Sequence, residues 1–404
     1  MPDQVVLFRT LAELQDVHVL VMSTVSPLLK IGLQFLGVWP DMPFAIIIRL
    51  IFMSIIMIMQ YFQYLYIFAH CKQGEVQSLV DSLPLAFDYS LRLIKLMTLW
   101  KNERLVREIL THMDTDWREC VRVERDLYIM TTKASISHFC TNVMMSFYMS
   151  VGIIYLVGDF AIDIMHSIES GNDTSRPFPV KLLYSSKAEQ SPIYELLVVI
   201  MFAYVLLNAY TVVIVDALIS TLVLHVSGQI DIIHQEFKII SDKIAYYQSC
   251  ECTIGMLVEK HNKVIAFSKN MYNLFSFMAL MQVFWNTLVI CILGLLVISS
   301  LQDNTGMGLM KTAVACGGVM IESFIFCFAG EYLSLKSKSL ADAAYESLWY
   351  NMSSNESKKI LLIIMRAQKL LTITAGGMAN LSLELFAKIL KTSMSYMSVL
   401  HAMY

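Results

Sequence analysis

Seven apolar stretches, each long enough to cross a bilayer, constrain this chain more than any other feature. They run over 43–69, 79–100, 134–157, 193–224, 271–300, 312–335 and 376–399. A spanning helix needs about 20 mostly apolar residues, and each stretch meets that length. The seventh carries Thr392-Ser-Met-Ser-Tyr-Met-Ser-Val-Leu400, a mixed polar and apolar helix of small residues at the chain's end. The pattern predicts an all-α membrane protein of seven transmembrane helices, with no cytoplasmic tail left after the last.

Composition agrees. Hydrophobic residues make up 56% and charged residues 16% of the 404, against about 25% charge in a soluble domain. A net charge of −3 gives no field for nucleic acid. The first 25 residues hold Asp3, Glu13 and Asp16 and lack an uninterrupted apolar core. A cleaved signal peptide is therefore not expected, and the first span serves as the insertion signal. The 27 methionines suit lipid-facing surfaces and, in the interior, an adaptable lining.

Lys and Arg set the orientation. The segments after spans one, three and five hold five of these residues together. The remaining segments hold roughly four times as many, so the N-terminus is expected in the cytoplasm and the C-terminus outside. The outer segment before span four carries Asn172-Asp-Thr174, a glycosylation sequon on the side that receives sugar. Sequons at Asn351, Asn355 and Asn380 fall inside or within the membrane.

The inner connections are longer than turns. Leu105, Ile109, Met113 and Trp117 recur every four residues, as an amphipathic helix requires. Ile230, Ile233, Phe237 and Ile240 continue span four in the same way, and 358–372 forms another amphipathic helix. Helices that project past the bilayer with an apolar stripe predict an intracellular packing domain. Span two is the most charged, with Asp81, Asp88, Arg92 and Lys95. The simplest reading sets Asp81 and Lys95 near opposite ends and pairs Asp88 with Arg92 at i, i+4. The other reading has Asp88 lining a wet cavity.

Catalytic patterns are missing from the sequence. It has no P-loop, no His-Glu-x-x-His and no Gly-x-Ser-x-Gly. Cys250-Glu-Cys252 with His261 has poor metal spacing, so neither a metal nor a cofactor is expected. Of eight cysteines only Cys71 falls clearly in an outer loop, so no disulfide framework follows. No internal repeat suggests a transporter.

The C-terminal segments carry a family pattern: Ala344-Tyr345-Glu-Ser-Leu-Trp349-Tyr350, Lys369-Leu-Leu-Thr-Ile-Thr-Ala-Gly376, Leu383-Glu-Leu-Phe386 and Ser395-Tyr396. Phe178-Pro179, Ser191-Pro192-Ile-Tyr194-Glu195 and His261-Asn262 add weaker matches. By these residues the chain resembles the insect odorant receptor family. The resemblance implies a subunit of a tetrameric, odorant-gated, non-selective cation channel in the plasma membrane of an olfactory neuron. Its short connection between spans four and five is similar to that of odorant-specific tuning subunits, which pair with a common co-receptor. The implied divisions are a six-helix ligand-binding bundle with cytoplasmic extensions (1–335), a cytoplasmic anchor segment (336–375) and a pore-lining seventh helix (376–404).

Site residues follow from the same resemblance. Val399 matches the family's gate position, with Met403 one turn further out and Thr392 and Ser395 on the same face below. A small apolar odorant is expected in the outer halves of spans two, three, four and six. The candidates there are Leu83 and Phe87, then Phe147, Tyr148, Val151 and Tyr155, then Leu197, Ile200, Met201 and Tyr204, then Cys316, Val319 and Met320. The three tyrosines offer hydrogen bonds to an ester, ketone or alcohol. Tyr345, Trp349 and Tyr350 suit the anchor interface, and Gly376-Gly377 offers a hinge before the pore helix. The alternatives are a G-protein-coupled-type chemoreceptor, which requires the opposite orientation, and a gustatory receptor.

Overall fold

The computed structural model describes residues 23–40, 42–73, 76–169, 178, 180, 190–245, 251–302 and 306–403. They form α-helices α1 Pro27–Phe35, α2 Ala45–Gln73, α3 Val76–Lys101, α4 Glu103–Cys120, α5 Glu124–Glu169, α6 Ile193–Ala245, α7 Glu251–Gln302, α8 Gly306–Tyr345, α9 Ser354–Ala367 and α10 Leu383–Met403. A two-strand hairpin, β1 Thr374–Ala375 and β2 Ala379–Asn380, precedes α10. Asn172 lies outside the described residues.

Seven of the helices correspond to the seven expected spans: α2, α3, α5, α6, α7, α8 and α10. Five of them are long and apolar enough to cross a membrane on that criterion alone. The other two are more polar: α3 carries Asp81, Asp88, Arg92 and Lys95, and α10 carries Glu384, Lys388 and Lys391 beside Thr392, Ser393, Ser395 and Ser398. Helices α5, α6 and α7 hold 46, 53 and 52 residues. At 1.5 Å rise per residue each reaches roughly 70–80 Å, well past a hydrocarbon core of about 30 Å. The projecting ends pack with α4 and α9 into one helical unit, termed the inner end below.

Local chemistry explains the shorter elements. The Ser26 hydroxyl accepts the Leu29 N–H at 3.1 Å, and Pro27 follows as the first helical residue of α1. Ser353 and Glu356 form a reciprocal capping box at the start of α9. Helix α4 buries Val106, Ile109, Met113, Trp117 and Cys120, one stripe at helical spacing, and exposes its charges. At the centre of the bundle, α6 turns Val212, Val213, Ile214 and Val215 into fully buried surroundings, whereas α2 leaves Ile46, Ile47, Leu50 and Ile51 bare. An apolar face of that size belongs against lipid.

The seventh helix starts later than the sequence suggests, at Leu383 rather than residue 376. Gly376 and Gly377 have φ of 59° and 76° and form the turn of the β1–β2 hairpin. The turn is tied down: Gly376 N–H donates to the Ser276 carbonyl at 2.9 Å, and Gly377 N–H to the Thr374 hydroxyl at 2.9 Å. A Cβ on Gly376 would meet Leu280 Cδ2 at 2.6 Å. The glycines serve a left-handed turn pressed against α7.

Charged pairs knit the inner end. Asp231 on α6 accepts from Lys133 of α5 at 2.8 Å and from Lys336 of α8 at 2.7 Å. Arg125 bridges Asp126 and Glu236, and Lys260 reaches Asp126 at 3.2 Å. Trp117 Nε1 donates to the Thr24 hydroxyl at 2.8 Å, and Thr24 meets His225, whose other ring nitrogen lies 3.0 Å from Asp116. The Glu119 bond, working against burial, lifts the Lys263 ammonium above its usual range. Burial, with the Arg366 charge nearby, pushes His261 down to about 4.

Candidate functional site

Opposite this inner end, among α2, α3, α5, α6, α7 and α8, lies a cavity of about 330 Å³. That is enough for a small organic molecule. Part of its lining is apolar: Leu85, Val151, Val205, Ala209, Val289, Leu293, Leu296, Ala315 and Val319. The rest is unexpectedly polar. Asp81, Ser82, Asp88, Arg92 and Gln63 face it from α3 and α2. Tyr148, Ser299, Ser300, Lys311, Thr312 and Glu322 face it from the other helices.

Five ionisable groups meet here within the bundle: Asp88, Arg92 and Glu322 in the lining itself, with Lys95 and Asp216 behind it. Asp88 and Arg92 are paired one turn apart on α3, as the i, i+4 reading expects. Lys95, fully buried, donates to Glu322 of α8 at 2.5 Å and lies 4.0 Å from Asp216 of α6. The Tyr148 hydroxyl donates to the other Asp216 oxygen at 3.0 Å. Lys95 also stands 4.8 Å from the centre of the Phe326 ring. The expectation that Lys95 sits near a span end is therefore overturned. Pairing with two acids from other helices offsets the cost of placing an ammonium at depth.

Sequence reasoning missed Asp216, Glu322 and Gln63. The signal was present: Val215-Asp216-Ala217 and Ile321-Glu322-Ser323 are lone acids inside apolar runs. Such acids need a cation at the same depth, and Lys95, placed at a span end, was the one left without a partner. A polar seam continues from there between α7 and α8. Gln282 donates to the Glu322 carbonyl at 3.2 Å, and Asn286 to the Ser323 hydroxyl at 2.8 Å.

Of the thirteen candidate ligand residues, Tyr148, Val151 and Val319 line the cavity. Tyr204 stands one shell back. It is buried, donates to Gln60 Oε1 at 3.2 Å, and packs edge-on at 5.0 Å against Tyr89, which does line it. Phe87 packs on Trp285, and Phe147 on Tyr148. Met201 and Cys316 are buried in neighbouring cores, with Leu197 and Met320 packed at their margins. Leu83 is half-buried on α3 and Ile200 is exposed on α6; neither is among the lining residues. The side chain of Tyr155 lies outside the described residues. Residues four apart on a long helix share a face, but face alone does not tell a cavity wall from a helix contact.

Helix α10 is asymmetric. Ile389, Ser393 and Met397, spaced by four, face the bundle. The Ser393 hydroxyl donates to the Thr287 carbonyl of α7 at 3.0 Å. A Cβ on Gly294 would come within 2.5 Å of Met397 Sδ, so α7 and α10 touch closely there. The far face exposes Glu384, Lys388, Thr392, Ser395 and Val399, with Val399 57% exposed. Met403 closes the helix, its side chain outside the described residues. At the inner end Trp349 packs against the core, whereas Tyr345 and Tyr350 are about two-thirds exposed.

Comparisons with known proteins place this architecture. The family model described as "7tm Odorant receptor" matches residues 75–394. Odorant receptor 13a of Drosophila melanogaster is 24% identical over 246 residues, which cover 57% of this chain and 58% of that protein. Odorant receptor 10 of Aedes albopictus is 24% identical over 178 residues, 44% of this chain and 47% of that one. The chain thus spans about half the length of the curated relatives it matches. Its fold is similar to that of the insect olfactory receptor OR5 from Machilis hrabei, with a TM-score of 0.74 at 15% identity, covering 92% and 96% of the two chains. The complex of that receptor with eugenol gives 0.75 at 14% identity, covering 93% and 97%. With four-fifths of its length inside the family model and seven helices arranged as in a solved insect receptor, the chain belongs to the 7tm odorant receptor family.

Proposed function

We propose that this chain is an odorant-specific subunit of a ligand-gated, non-selective cation channel in the plasma membrane. Its N-terminus is cytoplasmic, and it assembles with a co-receptor as a heterotetramer. The observation that carries the reading is the two-faced α10. One side is seated on α7, and the other presents Thr392, Ser395 and Val399 to open space. A helix with a bare face of small, hydroxyl-bearing residues at a subunit's edge suits a shared pore. Val399 is its apolar constriction, Met403 lies one turn beyond, and Thr392 and Ser395 give ions polar contacts below. The exposed Tyr345 and Tyr350, beside Trp349, suit contact between subunits in the anchor.

The ligand is a small odorant with a largely apolar body, held in the cavity that Tyr148, Val151 and Val319 line. Tyr204 backs this lining through Tyr89, and Phe147 through Tyr148. Binding opens the pore only through different affinities for the closed and open states. The test is current in cells expressing this chain with and without an insect co-receptor, under a broad odorant panel. Cation current that needs both chains and persists when G-protein signalling is blocked is expected. Current abolished by that block overturns the channel reading. Val399→Ala is expected to raise basal current.

A further inference from the structure

We infer that the ligand of this cavity carries a protonated amine on its apolar body. The inference rests on the reading of the cavity as the odorant site and names the head group it accepts. Three observations converge. First, the cavity and the cluster it adjoins are together short of positive charge: Asp81, Asp88, Asp216 and Glu322 stand against Arg92, Lys95 and Lys311. An excess carboxylate at depth calls for a further cation or a proton. Second, two of these acids, Asp88 and Glu322, line the cavity rather than lying sealed behind it. Third, Gln63 on α2, only 1% exposed, also lines the cavity, and its Oε1 is buried with no hydrogen-bond partner. A buried acceptor is rarely left unmatched, so the site is built for a donor that the protein does not itself supply.

An alkylammonium meets these needs together. It has three N–H donors, no acceptor and one positive charge. It donates to the Gln63 carbonyl and to carboxylate oxygens, and it balances the cluster. Hydrogen bonds to an ionised acceptor are roughly twice as strong as neutral ones. Esters and ketones carry acceptors only, so they leave Gln63 Oε1 unpaired and add nothing to the charge balance. An alcohol supplies one donor and no charge. The apolar wall of Val205, Leu293 and Val319 takes the hydrocarbon body.

The experiment uses the full-length chain in lipid nanodiscs at about pH 7, where an alkylamine is protonated. The probes are 2-phenylethylamine, the isosteric 2-phenylethanol and ethylbenzene. Affinity is read by calorimetric titration and by thermal shift. The amine is expected to bind about tenfold or more tightly than the alcohol, and the alcohol more tightly than the hydrocarbon. Gln63→Met removes the orphan acceptor without leaving a buried partner unpaired. It is expected to keep the unliganded melting point at or above that of the parent while lowering amine affinity several-fold. Glu322→Gln equalises the cluster and is expected to abolish the preference for amine over alcohol. Equal affinity for amine and alcohol, or no binding of the amine, overturns the inference. So does a preference that both variants retain. Odorant-evoked current in co-expressing cells is a separate readout. Amine binding without current overturns the channel reading and leaves this one standing, and current evoked only by neutral odorants does the reverse.

Discussion

The two ends of the bundle hold their charges in opposite ways. At the inner end, carboxylates and cations are matched, and the cations keep contact with water. Asp231 takes Lys133 and Lys336, and Asp126 takes Arg125 and Lys260. Around the cavity the groups are deeper, fewer in cations, and partly unmatched. Asp216 Oδ1, Arg92 Nε and Gln63 Oε1 are all buried without a hydrogen-bond partner. The first arrangement is what a rigid base needs. The second is less favourable to the fold, and a binding site explains why such groups remain. The difference teaches that polarity inside a membrane bundle reads as structure when it is satisfied and as function when it is not.

Lys95→Met breaks the contrast most severely. Removing this fully buried ammonium leaves Glu322 and Asp216 without their cation. A loss of about 3–5 kcal/mol is expected, read as reduced surface expression and a lower melting temperature in nanodiscs. The double variant Lys95→Met with Glu322→Met is expected to recover part of it. A single variant that melts like the parent would mean that the cluster is not desolvated.

Gly376→Ala acts at the turn that fastens the hairpin to α7. The new methyl meets Leu280 at 2.6 Å, and φ of 59° is unfavourable for alanine. A cost of about 2 kcal/mol is expected from conformation and overlap together. Gly377→Ala, with Tyr272 no nearer than 3.8 Å, isolates the conformational part. Equal melting points for the two variants would remove the packing contribution.

At the inner end, Asp231→Asn sets two lysines side by side without their shared acid. Because the groups are only partly buried, about 1–2 kcal/mol is expected. The loss is expected to shrink in high salt, whereas that of Lys95→Met is not. A salt response of the reverse order would sink the comparison between the two ends.

Much of this architecture was legible because helical spans announce themselves by length and apolarity. The stripe Ile109, Met113 and Trp117 on α4 and the run Ile230, Ile233, Phe237 and Ile240 on α6 were readable for the same reason. The late start of α10 was not, since a Gly-Gly pair marks a break without saying whether a hinge or a pinned hairpin fills it. The cavity lining was the least legible. Phe87 and Tyr148 lie on expected spans, yet one packs on Trp285 and the other meets Asp216. Which of two such residues reaches a cavity depends on helix rotation and on partners far away in sequence. Charge bookkeeping at depth was the available clue, and Lys95 with Asp216 and Glu322 was its unread part.

The smallest expected effect concerns pH and sharpens the contrast from the inner side. His261 on α7 is buried and stays neutral in the folded protein down to about pH 4, against an ordinary value of 6.5. The unfolded chain therefore binds a proton between those values that the folded chain refuses. By linkage, stability is fully present above about pH 6.5 and declines as the pH falls from there toward 4. Between about pH 7 and 5.5 the loss is roughly 1 kcal/mol from this residue, and less where water reaches the ring. His261→Gln is expected to flatten the pH dependence of the melting temperature over that window and to leave it unchanged above pH 7. A parent protein whose melting point is level from pH 7 to 5.5 would mean that the imidazole accepts its proton in place. Arg366, whose charge also opposes protonation, would then have to move aside, and the packing of α9 on α7 would be looser than its buried stripe of Ile360, Ile363, Ile364 and Ala367 implies.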